Sequence, residues 1–506
     1  MVLMNENARS FVSIAVRDGV AVIEVGRTAV DAQPEAVRAQ VLASVRAALS
    51  DKNVREIAVA GAAGSFTPDE VRALQHSFSV VREAARPSDL APGARPRQIA
   101  RIAVVGGGTM GGGIALAAVA GGYRVTVIET DAARADAARE RLTGDIERRR
   151  RERRLSDEEA NARLALLSVR AEDDALADAD LVIEAVFEDL AVKRALFERL
   201  GQVCKPTAVL ASNTSTLDID VLAQASGRPG DVVGMHFFSP ANVMKLLEVV
   251  RWALTSPDVL ATAIAVAQRL QKHAVVCGVC DGFIGNRMLE PYLREADALV
   301  LEGATPLQID TALETFGMAM GPFRMLDLAG VDVATKVLIE RHKQGRLPED
   351  PRYRIVCRTL YEKGRFGQKT KAGFYRYEGR QYSADEEVAA TVTALRETLG
   401  VVARDVIADE EIIRRCLYPL INEGYKILDE RIARSADDID VVWLSGYGFP
   451  YERGGPMWLG EQIGMSNVAD FLRACANGRG DAQGYWTLAD SLASSRHGEA
   501  AKECQP

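Results

Sequence analysis

The sequence predicts a doubly wound α/β domain followed by an all-α region. Two observations lead to this prediction. From residue 101 to about 276, short apolar, strand-like runs alternate with helical patterns, which is typical of a parallel sheet with helices on both faces. Beyond residue 281 the strand-like runs stop and helical periods dominate. At 506 residues, the chain is long enough for roughly three to four domains of ordinary size.

The first 87 residues predict a small α/β segment of their own. Residues 11–25 and 54–60 have strand patterns, and residues 34–50 have a helical pattern. Residues 88–98 contain two prolines, a glycine and few apolar side chains, so we interpret them as a linker.

The glycine motif after residue 105 predicts a dinucleotide-binding site. An apolar run over 101–105 leads into Gly106-x-Gly108-x-x-Gly111, and a second strand pattern ends in Glu129. In a dinucleotide-binding Rossmann turn the first glycine permits the bend, the second lets the backbone approach a pyrophosphate, and the third lets the helix lie close to the strand. The predicted cofactor ligands here are Gly106, Gly108, Thr109, Met110, Gly111 and Glu129. An acid at the ribose favours NAD over NADP; the alternative is a glycine-rich turn without a ligand.

The same domain, residues 99–280, contains further predicted strands and a helix start. The strands are 181–185, 208–211, 232–236 and 246–250, and Ser256-Pro257 is a typical helix start.

His236 is the strongest candidate for acid–base chemistry. It ends the predicted strand 232–236, and ligands of open α/β sheets bind at the carboxyl ends of strands. We expect Glu248 to end the next strand and to orient the imidazole, as a dehydrogenase base requires. The alternative is a capped core histidine. Three other histidines lie in polar helical patterns and are expected at the surface: His76, His342 and His497.

Two further motifs have alternative interpretations. Ser212-Asn213-Thr214-Ser215-Thr216 follows a strand and could be a helix cap alone. The arginine-rich run 148–154 is either a solvated helix end or a clamp for a phosphorylated ligand.

Composition excludes several classes of protein. The chain is 48% hydrophobic and 26% charged, as in ordinary globular proteins, and its net charge of −8 argues against a general nucleic-acid binder. No apolar run reaches membrane-spanning length, and residues 1–10 show no signal-peptide pattern. Seven scattered cysteines predict reduced thiols and a cytoplasmic location. We interpret the pair Cys277 and Cys280 as a buried strand end, with metal or redox use as the alternative.

The helical region contains an internal repeat. The segment 286–296 resembles 414–424, Ile309-Asp310 recurs as Ile439-Asp440, and Gly321-Pro322 recurs as Gly455-Pro456. We therefore predict two tandem helical domains, 281–380 and a degenerate copy at 381–506, a duplication that can replace a second subunit.

Five motifs together resemble the 3-hydroxyacyl-CoA dehydrogenase family. They are the glycine motif with Met110, Glu184-Ala-Val-Phe-Glu188, Ser212-Asn-Thr-Ser215, His236-Phe-Phe-Ser-Pro240 and Asp281-Gly-Phe-Ile-Gly-Asn286-Arg. The resemblance covers residues 99 to about 500. Ser239 and the doubled helical region are like the multifunctional β-oxidation enzymes.

The resemblance implies a role for each matching residue. His236 would be the general base and Glu248 its partner, while Ser215 and Asn286 would hydrogen-bond the substrate's 3-oxygen. The nicotinamide side of the NAD site would be lined by Glu188 and Lys193, and Asn213 would also bind the cofactor. The CoA phosphates would lie against Arg149, Arg150 and Arg153. The implied partners are an acyl-CoA substrate and thiolase or other β-oxidation enzymes, and the expected state is a monomer whose helical domains form a pseudo-dimer.

The N-terminal segment resembles the opening of an enoyl-CoA hydratase (crotonase) domain. The would-be oxyanion turn reads Gly64-Ser-Phe-Thr-Pro68, and proline has no N–H to donate. The linker follows within twenty residues, so we interpret the segment as a truncated remnant without hydratase activity.

The expected function is NAD-dependent oxidation of (S)-3-hydroxyacyl-CoA to 3-oxoacyl-CoA in fatty-acid β-oxidation. One alternative is a dehydrogenase of a special CoA thioester such as 3-hydroxyadipyl-CoA. Another is a non-catalytic NAD-binding scaffold subunit, against which the intact candidate site residues argue.

Overall fold

The computed structural model describes residues 11–26, 34–61, 64–84, 90–479, 481 and 483–494. The chain forms two compact units. The first contains Met1–Phe283, Ile432–Gly446 and Tyr451–Gly455, and the second contains Ile284–Arg431, Tyr447–Pro450 and Pro456–Pro506. The domains predicted from the sequence divide the chain differently from these two compact units, and their boundaries stay a prediction.

The first unit opens with a three-stranded sheet. Strands β1 (Val12–Arg17) and β2 (Val20–Val25) form an antiparallel hairpin, and β3 (Glu56–Ala60) pairs parallel to β2. Helices α1 (Pro34–Ser50) and α2 (Pro68–Ala84) pack on this sheet around a small apolar core. Helix α2 begins at Pro68, where the missing N–H costs no hydrogen bond.

An eight-stranded sheet forms the larger part of the first unit. Its strands run in the order β11-β10-β9-β8-β7-β4-β5-β6. The bounds are β4 Arg101–Val105, β5 Arg124–Ile128, β6 Leu167–Arg170, β7 Leu181–Glu184, β8 Val209–Ser212, β9 Val232–Phe237, β10 Leu246–Val250 and β11 His273–Cys277. All neighbouring pairs are parallel except β9 and β10, which are antiparallel. The inner strands are buried apolar runs, as expected for a sheet covered on both faces.

The connections between the parallel strands of this sheet contain helices. The bounds are α3 Thr109–Ala120, α4 Ala132–Arg151, α5 Asp157–Leu166, α6 Asp174–Ala177, α7 Leu190–Val203, α8 Ile219–Ala225 and α9 Pro257–Arg269. Helix α3 carries three consecutive glycines and small apolar side chains, which allow it to lie close to β4 and β5.

The rest of the chain is mainly helical. The bounds are α10 Gly285–Glu302, α11 Pro306–Phe316, α12 Pro322–Ala329, α13 Val331–Lys343, α14 Ile355–Glu362, α15 Glu386–Leu399, α16 Asp409–Asp429, α17 Ala436–Gly446, α18 Pro456–Ile463, α19 Met465–Arg479 and α20 Asp490–Ser494. Helix α17 belongs to the first unit and packs on α2, β10 and β11. The others belong to the second unit.

Helices α10 and α16 pack together through reciprocal ion pairs. Arg287 of α10 lies 2.7 Å from Glu423 of α16, and Arg415 of α16 lies 2.7 Å from Glu295 of α10. Each arginine has a second acidic partner: Glu430 for Arg287 and Glu302 for Arg415. Arg287 and Arg415 are 128 positions apart in the chain, and so are the corresponding acids of each pair. Segment 286–296 resembles 414–424 at the same offset.

The predicted fold class is confirmed as a parallel α/β domain joined to a helical region. One part of the prediction is wrong, because strands do not stop at residue 281. Strands β12 (Tyr375–Glu378) and β13 (Gln381–Ala384) form an antiparallel hairpin in the second unit. Along β12, buried Tyr375 and Tyr377 alternate with exposed Arg376 and Glu378, a period-two pattern of only four residues among long helices.

Candidate active site

The glycine turn lies where β4 ends and α3 begins. Gly106 has a φ of +93°, and a Cβ there would lie 2.8 Å from the carbonyl oxygen of Ala185. A Cβ on Gly111 would lie 1.8 Å from the oxygen of Gly106, so only glycine fits. At Gly108 no atom lies within 4 Å of an added Cβ, which leaves the outer side of the turn open. The turn therefore fits a pyrophosphate at the start of α3.

Glu129 lies at this turn, as predicted. It follows β5, and its Oε1 accepts a hydrogen bond of 2.7 Å from the N–H of Gly107. Sequence reasoning missed Arg141 of α4, whose guanidinium donates to the carbonyl oxygens of Gly107 and Gly108. Arg141 follows Glu129 by twelve residues inside an arginine-rich helix, and no local pattern distinguishes it from its neighbours.

His236 and Glu248 form a buried pair. The imidazole Nδ1 lies 2.7 Å from Oε2 of Glu248, with 7% of the histidine side chain and none of the glutamate side chain exposed. The rings of Phe238 and Phe283 flank the imidazole at centroid distances of 4.5 and 5.6 Å. The carboxylate therefore fixes one ring nitrogen and leaves Nε2 as the other for proton transfer.

The predicted geometry of this pair is wrong in one respect. We expected two neighbouring strand ends, but Glu248 is the third residue of β10, and β10 runs antiparallel to β9. His236 and Glu248 are directly opposite each other in register. Residues opposite each other on adjacent antiparallel strands have side chains on the same face, within reach of each other.

Asn213 supports the strand that carries His236. Its Oδ1 accepts a hydrogen bond of 2.8 Å from the backbone N–H of Phe237. The predicted contact between Asn213 and the cofactor stays a prediction.

A second charged cluster joins the buried Glu184 and Lys193 to Glu188, whose side chain is 36% exposed. The Lys193 ammonium is 1% exposed and lies 2.9 Å from Glu184 and 2.7 Å from Glu188. Ser212 donates a hydrogen bond of 2.6 Å to Glu184. The resemblance gave no role to Glu184, although it is fully buried and anchors Lys193.

Glu188 also positions Ser215. Its Oε1 accepts hydrogen bonds from the Ser215 N–H at 3.0 Å and from the Thr214 hydroxyl. Burial alone would raise the pKa of Glu188, but Lys193, Thr214 and the Ser215 N–H together hold this pKa below its usual value. The carboxylate is therefore charged at neutral pH and holds the loop after β8.

Asn286 lies in the second unit, in the first turn of α10. Its Oδ1 accepts a hydrogen bond of 2.8 Å from the hydroxyl of Tyr447, a residue that sequence reasoning missed. The predicted meeting of Asn286 with His236 and Ser215 stays a prediction.

The arginine run has acidic neighbours. Arg149 lies 3.0 Å from Asp145, and Arg150 lies 3.3 Å from Glu147 and 3.4 Å from Asp157. Arg150 and Arg153 line a surface groove of about 430 Å³ between α4 and α5. Local ion pairs favour a helix end, the groove favours a ligand, and both interpretations stay open.

Further predictions, on the cysteines, the histidines and membrane spans, can be compared with the structure. None of the six described cysteines forms a disulfide, and Cys277 is the buried last residue of β11. His76 is not a surface residue, because its side chain is 14% exposed and lies 3.2 Å from Asp440 of α17. His342 is exposed as predicted, and His497 lies outside the described residues. No helix in the described ranges is long and apolar enough to span a membrane.

Comparison with known proteins identifies two domains of the chain. Residues 101–280 match the NAD-binding domain of 3-hydroxyacyl-CoA dehydrogenase, and residues 282–377 match the C-terminal domain of 3-hydroxyacyl-CoA dehydrogenase. The peroxisomal bifunctional enzyme of Danio rerio is 44% identical over 424 residues, which are 80% of this chain and 58% of that protein. The human peroxisomal bifunctional enzyme is 40% identical over 423 residues, with the same coverage.

Two solved structures are similar along most of the chain. The 3-hydroxybutyryl-CoA dehydrogenase of Escherichia coli has a TM-score of 0.68 at 28% identity, covering 78% of this chain and 98% of its own. The dehydrogenase part of multifunctional enzyme 1 from C. elegans has a TM-score of 0.61 at 27% identity, covering 85% of this chain and 100% of its own.

A glycine turn on a parallel sheet, with a histidine–glutamate pair at the same sheet, defines an NAD-dependent α/β dehydrogenase. More specifically, the chain belongs to the 3-hydroxyacyl-CoA dehydrogenase family. The predicted family, enzyme class and NAD cofactor are confirmed. The chain spans 58% of the length of the bifunctional relatives named above.

Proposed function

We propose that the chain oxidises (S)-3-hydroxyacyl-CoA to 3-oxoacyl-CoA in fatty-acid β-oxidation. The single observation that carries the proposal is the buried His236–Glu248 pair. It lies in the same sheet as β4, which leads into the glycine turn. A base with a fixed tautomer suits the removal of a hydroxyl proton.

In the proposed reaction His236 Nε2 takes the proton of the substrate's 3-hydroxyl. When bound, NAD supplies the acceptor for the hydride that leaves C3, so the C3–O bond becomes a carbonyl. Glu248 stabilises the imidazolium through Nδ1 while the proton is held there. Ser215, held by Glu188, and Asn286, held by Tyr447, would donate hydrogen bonds to the 3-oxygen.

The residues that would hold the cofactor follow from the glycine turn. The N–H groups at the start of α3 would bind the pyrophosphate, and Glu129 would accept hydrogen bonds from the adenine ribose. Lys193 and Glu188 would lie on the nicotinamide side, where the buried ammonium and the partly exposed carboxylate form an ion pair of 2.7 Å.

The assay measures NADH absorbance with acetoacetyl-CoA, and the test variant is His236→Gln. We expect this variant to lose roughly 10² to 10⁴ in kcat, as for loss of a general base, and to keep its affinity for NAD. A His236→Gln variant that kept more than about a tenth of the wild-type kcat would contradict the assignment of His236 as the general base. Wild-type protein that binds NAD and shows no turnover would favour the scaffold function instead.

The CoA phosphates are proposed to bind the arginine run, supported by the groove beside Arg150 and Arg153. Replacement of Arg149, Arg150 and Arg153 by alanine should raise KM for acyl-CoA and weaken its salt dependence, because screening acts on those charges. KM for NAD should not change. A change in thermal stability alone would show that the run is only a helix end.

The proposed state is a monomer, supported by the reciprocal ion pairs of α10 and α16 within one chain. Thiolase or another β-oxidation enzyme is the proposed partner. Reduced cysteines support the proposed cytoplasmic location, whereas the bifunctional relatives are peroxisomal by name, and cell fractionation distinguishes the two.

A further inference from the structure

Lys272 is a buried lysine without an acidic partner. It lies between α9 and β11, is 4% exposed, and takes part in none of the ion pairs among the described residues. A buried ammonium is costly unless its protons are hydrogen-bonded. Its Nζ donates to the carbonyl oxygen of Ala241 at 2.6 Å and to that of Met244.

Both carbonyls belong to the loop between β9 and β10. This loop, residues 238–245, connects the strand of His236 to the strand of Glu248. The N–H groups of Val243 and Met244 both donate to the Pro240 oxygen at 2.9 Å, so the loop is a tight turn.

The exit of the loop is attached to the same segment as Lys272. The N–H of His273 donates to the Lys245 oxygen at 2.8 Å, and β11 then pairs with β10 from Leu246 onward. Lys272 is therefore bonded to the turn while its neighbour continues the sheet.

The loop also contacts the cofactor helix. A Cβ on Gly113 of α3 would lie 3.1 Å from the backbone nitrogen and the Cβ of Ala241. Ala241 is 1% exposed, so the loop has no free space on that side. Movement of Ala241 would change the distance between the loop and α3.

We propose that Lys272 is a positioning residue for the reaction: by holding the Ala241 and Met244 carbonyls it fixes the β9–β10 loop, and so keeps His236 and Glu248 in register beside the cofactor helix. The proposal rests on the proposed dehydrogenase function. Lys272 touches neither reacting group and acts through the loop. A charged donor suits the task because its hydrogen bonds to carbonyl oxygens are stronger than those of a neutral group.

The charge on Lys272 is sensitive to pH. Burial is the main reason that the pKa of Lys272 is lowered to about 8, and the nearby charge of Lys245 lowers it further. Lys245, the last residue of the loop, is the charged group that faces Lys272, and His273, the first residue of β11, is its titratable neighbour in the chain. The pKa of His273 is itself lowered to about 4, so His273 is neutral and adds no charge at working pH.

The test compares Lys272→Met and Lys272→Arg with the control Lys245→Met. Lys245 is exposed, and its ammonium lies 3.4 Å from a single carbonyl, that of Gln271. We expect Lys272→Met to lower kcat by roughly 10-fold to 10²-fold, the scale of a small misplacement of catalytic groups, with no change in the Kd for NAD. Lys272→Arg should recover most of the activity, and Lys245→Met should match the wild type.

A pH profile separates positioning from stability. Arginine stays charged where lysine does not, so the alkaline fall of kcat in Lys272→Arg should lie at higher pH than in the wild type. If Lys272→Met does not fold, this comparison decides alone. Identical profiles for wild type and Lys272→Arg, or wild-type kcat in folded Lys272→Met, would overturn the proposal. Failure of the dehydrogenase function is distinguishable, because the wild type itself would then be inactive.

Discussion

The two helical copies predicted from the sequence share the residues that join them and differ where a substrate is expected. Both long helices carry an internal proline, Pro291 in α10 and Pro419 in α16, and both carry the reciprocal arginines. Asn286 is hydrogen-bonded by Tyr447, but its equivalent Arg414 is 47% exposed and pairs with Glu410 of its own helix. In the predicted duplication, only the packing between the copies has to be preserved twice, because one site is enough for one reaction.

The second helix of each copy repeats an aspartate in a different environment. Asp310 accepts hydrogen bonds from the N–H groups of Phe323 and Arg324, which start α12, and from the hydroxyl of Tyr375. Asp440 instead faces His76, from the N-terminal segment. In both copies the aspartate fits against a glycine that leaves no room for a side chain: Gly321 for Asp310 and Gly455 for Asp440. His76 therefore joins the N-terminal segment to α17.

The largest expected effect tests the contact that both copies keep. Arg415 is 2% exposed and its partner Glu295 is 3% exposed. Lys or Arg removal from such a buried pair typically costs about 3–5 kcal/mol, because the remaining charge stays buried. Arg415→Met should therefore lower the unfolding midpoint strongly.

The matched control for this prediction is Arg287→Met. Arg287 is 18% exposed and its acids Glu423 and Glu430 are 17% and 50% exposed, so this cluster is better solvated than Arg415 and Glu295. We expect a smaller cost of about 1 kcal/mol, near the upper end for solvated pairs. Equal losses from the two variants in urea melts would contradict the asymmetry between the two arginines.

The second prediction tests the position at which the copies differ. Asn286→Ala should lower kcat by about 10² to 10³, the usual loss when one donor to a developing oxyanion is removed. Arg414→Ala should leave kcat unchanged, since among the described residues its one ion pair is with Glu410 of its own helix. Comparable losses at both positions would mean that the second copy also has a catalytic role.

Sequence reasoning found the elements whose signals are local. The glycine turn, its acid, the strand ending near His236 and the two prolines of the repeat all depend on neighbours in the chain. It missed Arg141 and Tyr447, because their partners lie 34 and 161 positions away. It also missed the antiparallel pairing of β9 and β10, since the apolar run 246–250 is equally compatible with either direction.

The smallest expected effect compares the two partners of the repeated aspartate. Tyr375→Phe and His76→Ala each remove one hydrogen bond to a buried carboxylate, and each should cost about 1 kcal/mol.

The stability cost of Tyr375→Phe should also depend on pH. Burial raises the pKa of Asp310 to about 6, against the opposing hydrogen bonds of Tyr375 and the two N–H groups. The stability contributed by protonated Asp310 is present at low pH and is lost as the pH rises through this pKa. Without the hydroxyl the pKa rises further, so the cost of Tyr375→Phe should be larger at pH 7.5 than at pH 5. Melting curves at the two pH values measure this difference, and a cost that is the same at both would contradict the assigned hydrogen bond.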